Sequence, residues 1–288
     1  MKKLLVLSGK GGTGKTTLTS AFIDFGFIKA VADCDVDAPN LHLVTKCNDG
    51  IENDFYGLDK AYIDTRQCVK CGKCANVCEF SAIKQSGDQY IVDDIACEGC
   101  MTCQIVCPSN AISSIKDISG KTTLFTGKKT LSTARLKTGR GNSGKLVSEV
   151  KKNLFKNTHE QLAIIDGSPG IGCPVIASIN GVDYVIIVSE PTVSGLSDLE
   201  RIAQICQTFG TGLGICVNKS DLSPSNTQHI KNFAIKNNIE FLGEIPYDMA
   251  VSNAINNGHS IATVKCPAQF ALKNIFDKVI KWTNKTTN

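Results

Sequence analysis

The chain has 288 residues, 42% of them hydrophobic and 20% charged, with a formal net charge of +4. This is ample apolar material for a packed core and too much chain for one small stapled module, and it excludes wholesale disorder. The charge is too mild to argue for nucleic acid, and no stretch approaches the roughly 18 apolar residues that span a bilayer, so no stable membrane insertion is expected. The fourteen cysteines are the outlying number. No secretory pattern opens the chain, because the apolar residues after Lys2 and Lys3 stop at Ser8-Gly9-Lys10-Gly11. The cysteines therefore point to metal in a reducing compartment rather than to disulfides, and the expected location is the cytoplasm.

Leu4–Leu7 reads as a short buried strand that runs into Ser8-Gly9-Lys10-Gly11-Gly12-Thr13-Gly14-Lys15-Thr16-Thr17 and then into a helix. Gly9, Gly14, Lys15 and Thr16 fit the form G-x-x-x-x-G-K-[ST] in its required strand-to-helix setting. Glycines let backbone N–H groups turn inward around phosphate oxygens, and the helix N-terminus favours the negative charge. Gly11, Gly12, Thr13 and Thr17 complete the cradle, with Lys15 reaching the β/γ-phosphates and Thr16 binding Mg²⁺. Further along, Leu162–Ile165, Tyr184–Val188, Gly214–Val217 and Ile239–Leu242 read as strands. Helical patterns lie around Lys145–Phe155, Ser197–Phe209, Ser225–Asn237 and Ala268–Trp282. The last carries a stripe of Leu272, Ile275, Phe276, Val279 and Ile280, expected to dock on the core. Short apolar strands alternating with helices predict an α/β fold with a mostly parallel sheet covered on both faces. Gly139-Arg140-Gly141-Asn142-Ser143-Gly144-Lys145-Leu146 imitates a second phosphate loop. It ends in Leu where a hydroxyl is needed, and no strand is expected before it.

Eight cysteines fall between Cys68 and Cys107 as an internal repeat. Cys68, Cys71, Cys74 and Cys78 recur at Cys97, Cys100, Cys103 and Cys107, an offset of 29 residues, and Ala82-Ile83 recurs at Ala111-Ile112. The segment predicts a small α+β insertion over 66–118 that divides the α/β domain into 1–65 and 119–288. The spacing C-x₂-C-x₂-C-x₃-C, closed in the second half by Pro108, is the pattern of bacterial ferredoxins with two clusters. In that pattern the fourth cysteine of each run ligates the other cluster. One 4Fe–4S centre is then expected on Cys68, Cys71, Cys74 and Cys107, and the other on Cys97, Cys100, Cys103 and Cys78. Zinc, which favours distant C-x₂-C knuckles, is the structural alternative. Glu79 stands where the second half has Pro108.

With Lys10 included, the loop resembles the deviant Walker A form of the MinD/ParA/nitrogenase-iron-protein superfamily. The resemblance implies an ATPase in which Lys10 reaches across an ATP-dependent homodimer to the partner's nucleotide. Asp33-Cys34-Asp35-Val36-Asp37 resembles the family's switch I. It implies that Asp35 orients the attacking water and that Asp33 stands behind a Mg²⁺-bound water. Ala163-Ile164-Ile165-Asp166-Gly167-Ser168-Pro169-Gly170 resembles Walker B with switch II, which implies that Asp166 holds Mg²⁺-bound water and that the Gly170 N–H senses the γ-phosphate. Ser168 departs from the family's usual Pro. Asn218-Lys219-Ser220-Asp221 fits the N-K-x-D form that reads guanine in GTPases. In the deviant-loop family the equivalent Asn contacts adenine, and because the Lys10 form belongs to ATPases, ATP is the expected nucleotide, with GTP as the alternative. Cys173, seven residues after Asp166, resembles a cluster ligand of the nitrogenase iron protein, although a small buried cysteine is the plainer expectation. Cys34 shares that ambiguity.

The whole layout resembles MinD-superfamily ATPases that carry an inserted ferredoxin domain with two clusters. The resemblance implies a nucleotide-driven dimer switch coupled to electron transfer through two 4Fe–4S clusters toward a redox or iron–sulfur client protein. Two alternatives stand beside it. One is an iron–sulfur carrier related to Mrp-type ATPases, with Cys173 as cargo ligand. The other is a nucleotide-dependent regulatory switch whose clusters are only structural.

Overall fold

The computed structural model describes residues 1–285. In chain order, β1 (Lys2–Ser8) leads into α1 (Lys15–Phe25), β2 (Ala30–Asp33), α2 (Leu41–Thr45) and β3 (Ile51–Tyr56). Then come β4 (Lys60–Ile63), α3 (Lys73–Asn76), β5 (Ile83–Ser86), β6 (Gln89–Val92), α4 (Thr102–Ile105), β7 (Ile112–Ile115) and β8 (Ile118–Phe125). The remainder alternates as β9 (Thr130–Leu136), α5 (Ser143–Lys156), β10 (Leu162–Asp166), α6 (Cys173–Ile179), β11 (Tyr184–Ser189) and α7 (Val193–Thr208). It closes with β12 (Gly212–Asn218), α8 (Pro224–Lys236), β13 (Glu240–Ile245), α9 (Met249–Asn256) and α10 (Pro267–Lys285). Two compact units emerge. One comprises residues 1–52, 122–135 and 143–288, the other residues 53–121 and 136–142.

In the first unit the sheet order is β13-β12-β11-β1-β10-β2-β9. The pairings from β13 through β9 are all parallel. Such strands are buried on both faces, which is why Leu4–Leu7 and Tyr184–Val188 are apolar without alternation. The register sets the site: Val6 lies opposite Asp166, and Asp166 opposite Asp33, so β1, β10 and β2 end together at one edge of the sheet. Two elements differ from the expectation. A strand, β9, does precede Gly139; its Ser132 and Thr133 are buried and hide the apolar signal. The helix expected from Ser197 starts at Val193, because the Thr192 hydroxyl accepts the Gly195 N–H at 3.0 Å as an N-cap.

The α10 stripe is buried, with Leu272, Ile275, Phe276 and Val279 all at 5% exposure or less. Phe276 meets Phe22 of α1 edge-on at 5.1 Å between ring centroids. Phe22 is fully buried, so truncating it leaves a cavity that neighbouring side chains fill only partly. Phe22→Ala is expected to cost about 3–5 kcal/mol, read as a lowered midpoint in guanidinium unfolding.

The second unit contains two antiparallel pairs, β4 with β7 and β5 with β6. Because β4 pairs with β7, this unit begins ahead of the cysteine run rather than at residue 66. The repeat is visible in the backbone. The Asp64 N–H donates to the Ala111 carbonyl at 2.8 Å, and its counterpart Asp93 donates to Ala82 at 2.7 Å. Left-handed residues also recur at the same offset: Lys70 with Gly99, Gly72 with Met101, Ser81 with Asn110.

Candidate functional site

The loop between β1 and α1 holds its shape through its own hydrogen bonds. The Ser8 hydroxyl donates to the Lys10 carbonyl at 2.9 Å, and Asn218, at the end of β12, donates its amide to the Thr13 carbonyl at 2.8 Å. Gly14, the N-cap of α1, is left-handed with φ 92°, and a Cβ there would sit 2.3 Å from the Asn218 amide nitrogen. A glycine is thus required twice over.

Asp166 is the centre of the site. It is fully buried, and its carboxylate receives Lys15 Nζ at 2.8 Å, the Thr16 hydroxyl at 2.6 Å and the Thr19 hydroxyl at 3.0 Å. Burial alone would pull the Lys15 ammonium down, but Asp166, then Asp33 and Asp35, outweigh it and hold it charged. Asp35 lies 3.9 Å from Lys15 Nζ, and its own carboxyl is raised mainly by burial. Asp33 is fully buried and pushed up to about 7, first by burial and next by the Asp166 charge. Its oxygens accept the N–H groups of Asp35, Asn40 and Leu41 at 3.0–3.1 Å, tying the segment after β2 to the sheet.

Gly11, Gly12, Gly14, Lys15, Thr16, Thr17 and Asp35 line one cleft of about 360 Å³. Its remaining wall includes Leu43 and Val44 of α2, Pro169, and Ile255 of α9. These apolar residues were not legible in the sequence: they belong to no motif, and only the fold brings α2 and α9 to the cleft.

Other predicted residues lie around it. The Gly170 N–H, at φ 94°, donates to the Ser8 carbonyl at 3.0 Å. The Ser168 hydroxyl donates to the Cys34 carbonyl at 2.5 Å, which gives this residue a role that proline could not fill. Lys10 faces Glu190 at 3.7 Å, and the same carboxylate holds Lys219 at 2.7 Å. Asn218 braces the loop with its amide and accepts the Lys219 N–H at 3.0 Å, while Asp221 accepts the Tyr247 N–H at 2.7 Å. Cys34 is fully buried, with its thiol pushed up to about 12 by burial. Cys173 corrects the expectation of a buried thiol: it is exposed, because it opens α6 directly after Gly172.

In the second unit, all eight cysteines are free thiols. Burial raises the Cys74 thiol, and the nearby Cys68 and Cys107 sulfurs add to the shift. Burial likewise raises Cys103, with Cys97 and Cys100 as its sulfur neighbours. Cys107 thus lies near Cys74 of the first run, as one half of the crossed ferredoxin pattern requires. Backbone N–H groups point at sulfurs at matching places in the repeat, Ala82 to Cys78 and Ala111 to Cys107, both at 3.3 Å. At Cys107 burial is outweighed by the Ser109 hydroxyl and backbone donors, Ala111 among them, which hold the thiol below its ordinary range. Among the described residues, no three His, Cys, Asp or Glu side chains converge to hold a single metal ion. A cubane asks for something different, thiolates spread around its corners. The donor set fits such a group in kind and in number.

A sharp steric test lies at Gly9, where an added Cβ would sit 2.2 Å from the Asp198 Cβ. Gly9→Ala is expected to destabilise by about 1–3 kcal/mol through overpacking and to weaken binding of a fluorescent ATP analogue. The double variant Gly9→Ala/Asp198→Gly should recover much of that affinity in the same titration.

Comparison with known proteins agrees with this geometry. Residues 4–261 match the CobQ/CobB/MinD/ParA nucleotide binding domain. An uncharacterized protein of Methanocaldococcus jannaschii is 30% identical over 287 residues, covering 96% of each chain. The septum site-determining protein MinD of Pyrococcus horikoshii, solved with Mg-ADP, shares the fold with a TM-score of 0.57 at 18% identity, over 98% of this chain and 96% of that one. A 7Fe ferredoxin of Hydrogenibacillus schlegelii is 39% identical over 54 residues, 18% of this chain and 69% of that protein. The chain belongs to the CobQ/CobB/MinD/ParA family of nucleotide-binding domains.

Proposed function

We propose that this protein binds and hydrolyses ATP and couples a nucleotide-driven homodimer switch to electron transfer through two 4Fe–4S clusters. The observation that carries the reading is the convergence of Lys15, Thr16 and Thr19 on the buried Asp166, with Asp35 beside them in the same cleft. Asp166 neutralises Lys15 and accepts the Thr16 hydroxyl. Lys15 would meet the β/γ-phosphates of MgATP, and Thr16 and Asp166 would hold Mg²⁺ and its bound water. The metal would supply charge neutralisation on the phosphate oxygens. Asp35, just beyond the end of β2, would orient the attacking water. Lys10, lightly held by Glu190, is available to a nucleotide on a second copy. The Gly170 N–H must leave the Ser8 carbonyl before it can meet a γ-phosphate.

The ferredoxin-like reading of the second unit is supported by the nearness of Cys107 to Cys74 and by the similarity to the 7Fe ferredoxin. Cys68, Cys71, Cys74 and Cys107 would hold one cluster, and Cys97, Cys100, Cys103 and Cys78 the other. Each bound cluster would supply a one-electron carrier. The switch segment Asp33–Leu41 precedes the second unit closely in the chain, which gives nucleotide-driven movement a short covalent route toward it. The exposure of Cys173 favours a second reading, an iron–sulfur carrier with this thiol as cargo ligand. Loss of client maturation in Cys173→Ala, with both ferredoxin-type clusters retained, would select it.

Hydrolysis and association test the leading reading together. Wild-type protein should be a dimer with a non-hydrolysable ATP analogue by light scattering, and Lys10→Ala should stay monomeric. Asp35→Ala should keep the dimer but lose at least about a hundredfold in kcat, a scale typical for loss of a water-positioning group. A wild-type protein that stays monomeric with nucleotide and hydrolyses no ATP would refute the proposal.

A further inference from the structure

The second unit holds one buried cation for which neither the cysteine pattern nor the nucleotide chemistry accounts. Lys60, at the start of β4, is 5% exposed, and its ammonium donates to the backbone carbonyl of Cys97. Among the described residues no carboxylate pairs with it. Several other cations of this unit are matched: Arg66 with Asp64, Lys70 with Asp88, Lys84 with Asp93, and Arg140 with both Asp94 and Asp117. Lys60 is flanked on β4 by Ala61 and Ile63, which join Cys74, Cys97 and Cys103 in the apolar cluster of this unit, so its contact with the Cys97 carbonyl is what ties it to one half. At the repeat offset the corresponding residue is Gln89, which is exposed at the start of β6. Only one half of the duplication carries this charge.

An ammonium buried on a single carbonyl is unfavourable unless an opposite charge lies close by. A cluster ligated by Cys97 would be that charge, since a cubane with four thiolates is a net anion. Resting on the two-cluster reading above, we infer that Lys60 is a redox-tuning residue. Its fixed positive charge favours the reduced form of the centre on Cys97, Cys100, Cys103 and Cys78, and sets that centre's potential above that of its twin. Reduction there adds one electron from an external reductant, and with it one negative charge beside the ammonium, with no bond made or broken.

The competing charges are weaker for a physical reason. Asp93 and Asp94 precede Cys97 but are paired with Lys84 and Arg140, and Glu98 is exposed. On the other half Arg66, Lys70 and Lys73 are all exposed. Water and salt screen such surface charges, whereas a buried charge acts through a low local dielectric. Lys60 therefore decides the order, and the first electron taken up by this unit rests on the Cys97 side.

The test is an anaerobic potentiometric titration followed by EPR on the full chain, with iron and sulfide measured on each sample. Lys60→Gln copies the residue at the repeated position and can still donate to the Cys97 carbonyl, so it removes the charge alone. Wild type should show two separate midpoints. Lys60→Gln should lower the upper one by at least tenfold in the reduction equilibrium, about 59 mV for one electron, and leave the lower one in place. Lys60→Met should do the same, and Lys60→Arg should hold the wild-type values. Coincident wild-type midpoints, or unmoved midpoints in a fully loaded Lys60→Gln protein, would overturn the role of Lys60. So would an Arg variant that falls as far as Gln. Wild-type protein that takes up no iron and sulfide would overturn the two-cluster reading, and the role of Lys60 with it.

Discussion

A single buried carboxylate organises the first unit. Asp166 ends the strand between β1 and β2, where water cannot reach it, and an unpaired charge there would be costly. Three donors of α1, the Lys15 ammonium and the Thr16 and Thr19 hydroxyls, supply its partners. The helix is thereby fixed against the sheet edge, and the glycine loop between β1 and α1 has little choice of path. The arrangement also explains why the cleft is poised rather than merely open. The groups that would meet phosphate and metal are already gathered, but they are engaged with one another, so a ligand must exchange partners instead of ordering a loose loop.

The second unit follows a different logic. A duplication sets two equal runs of cysteines on one pseudo-symmetric backbone, down to the reciprocal hydrogen bonds from Asp64 and Asp93. Function then comes from what the duplication does not repeat. On the two-cluster reading, the buried Lys60 against the exposed Gln89 gives the two halves unlike electrostatics. Two equivalent carriers would only share an electron, whereas two unequal ones give it a direction.

Much of this was legible in the residues alone, for reasons that differ by place. Strands buried on both faces announce themselves as apolar runs, so β1, β10 and β11 stood out. β9 did not, since Ser132 and Thr133 fill its buried positions. The phosphate loop could be read because each of its residues answers to a geometric need of the backbone. The apolar wall from Leu43, Val44 and Ile255 could not, because tertiary packing alone gathers it. Cys173 was misjudged from the general habit of free cysteines; its place at the head of α6 exposes it. Lys60 gave no signal at all, since a lone lysine at a strand start looks like any solvated charge until its burial is seen.

The central claim is that nucleotide and electrons are handled by one coupled machine. An EPR redox titration of the loaded wild-type protein with and without MgATP addresses it most directly. The account predicts that MgATP shifts the midpoint or the line shape of at least one cluster, and that Lys10→Ala abolishes the shift. Clusters whose potentials and spectra are identical in both conditions, in protein shown to bind and hydrolyse ATP, would contradict it.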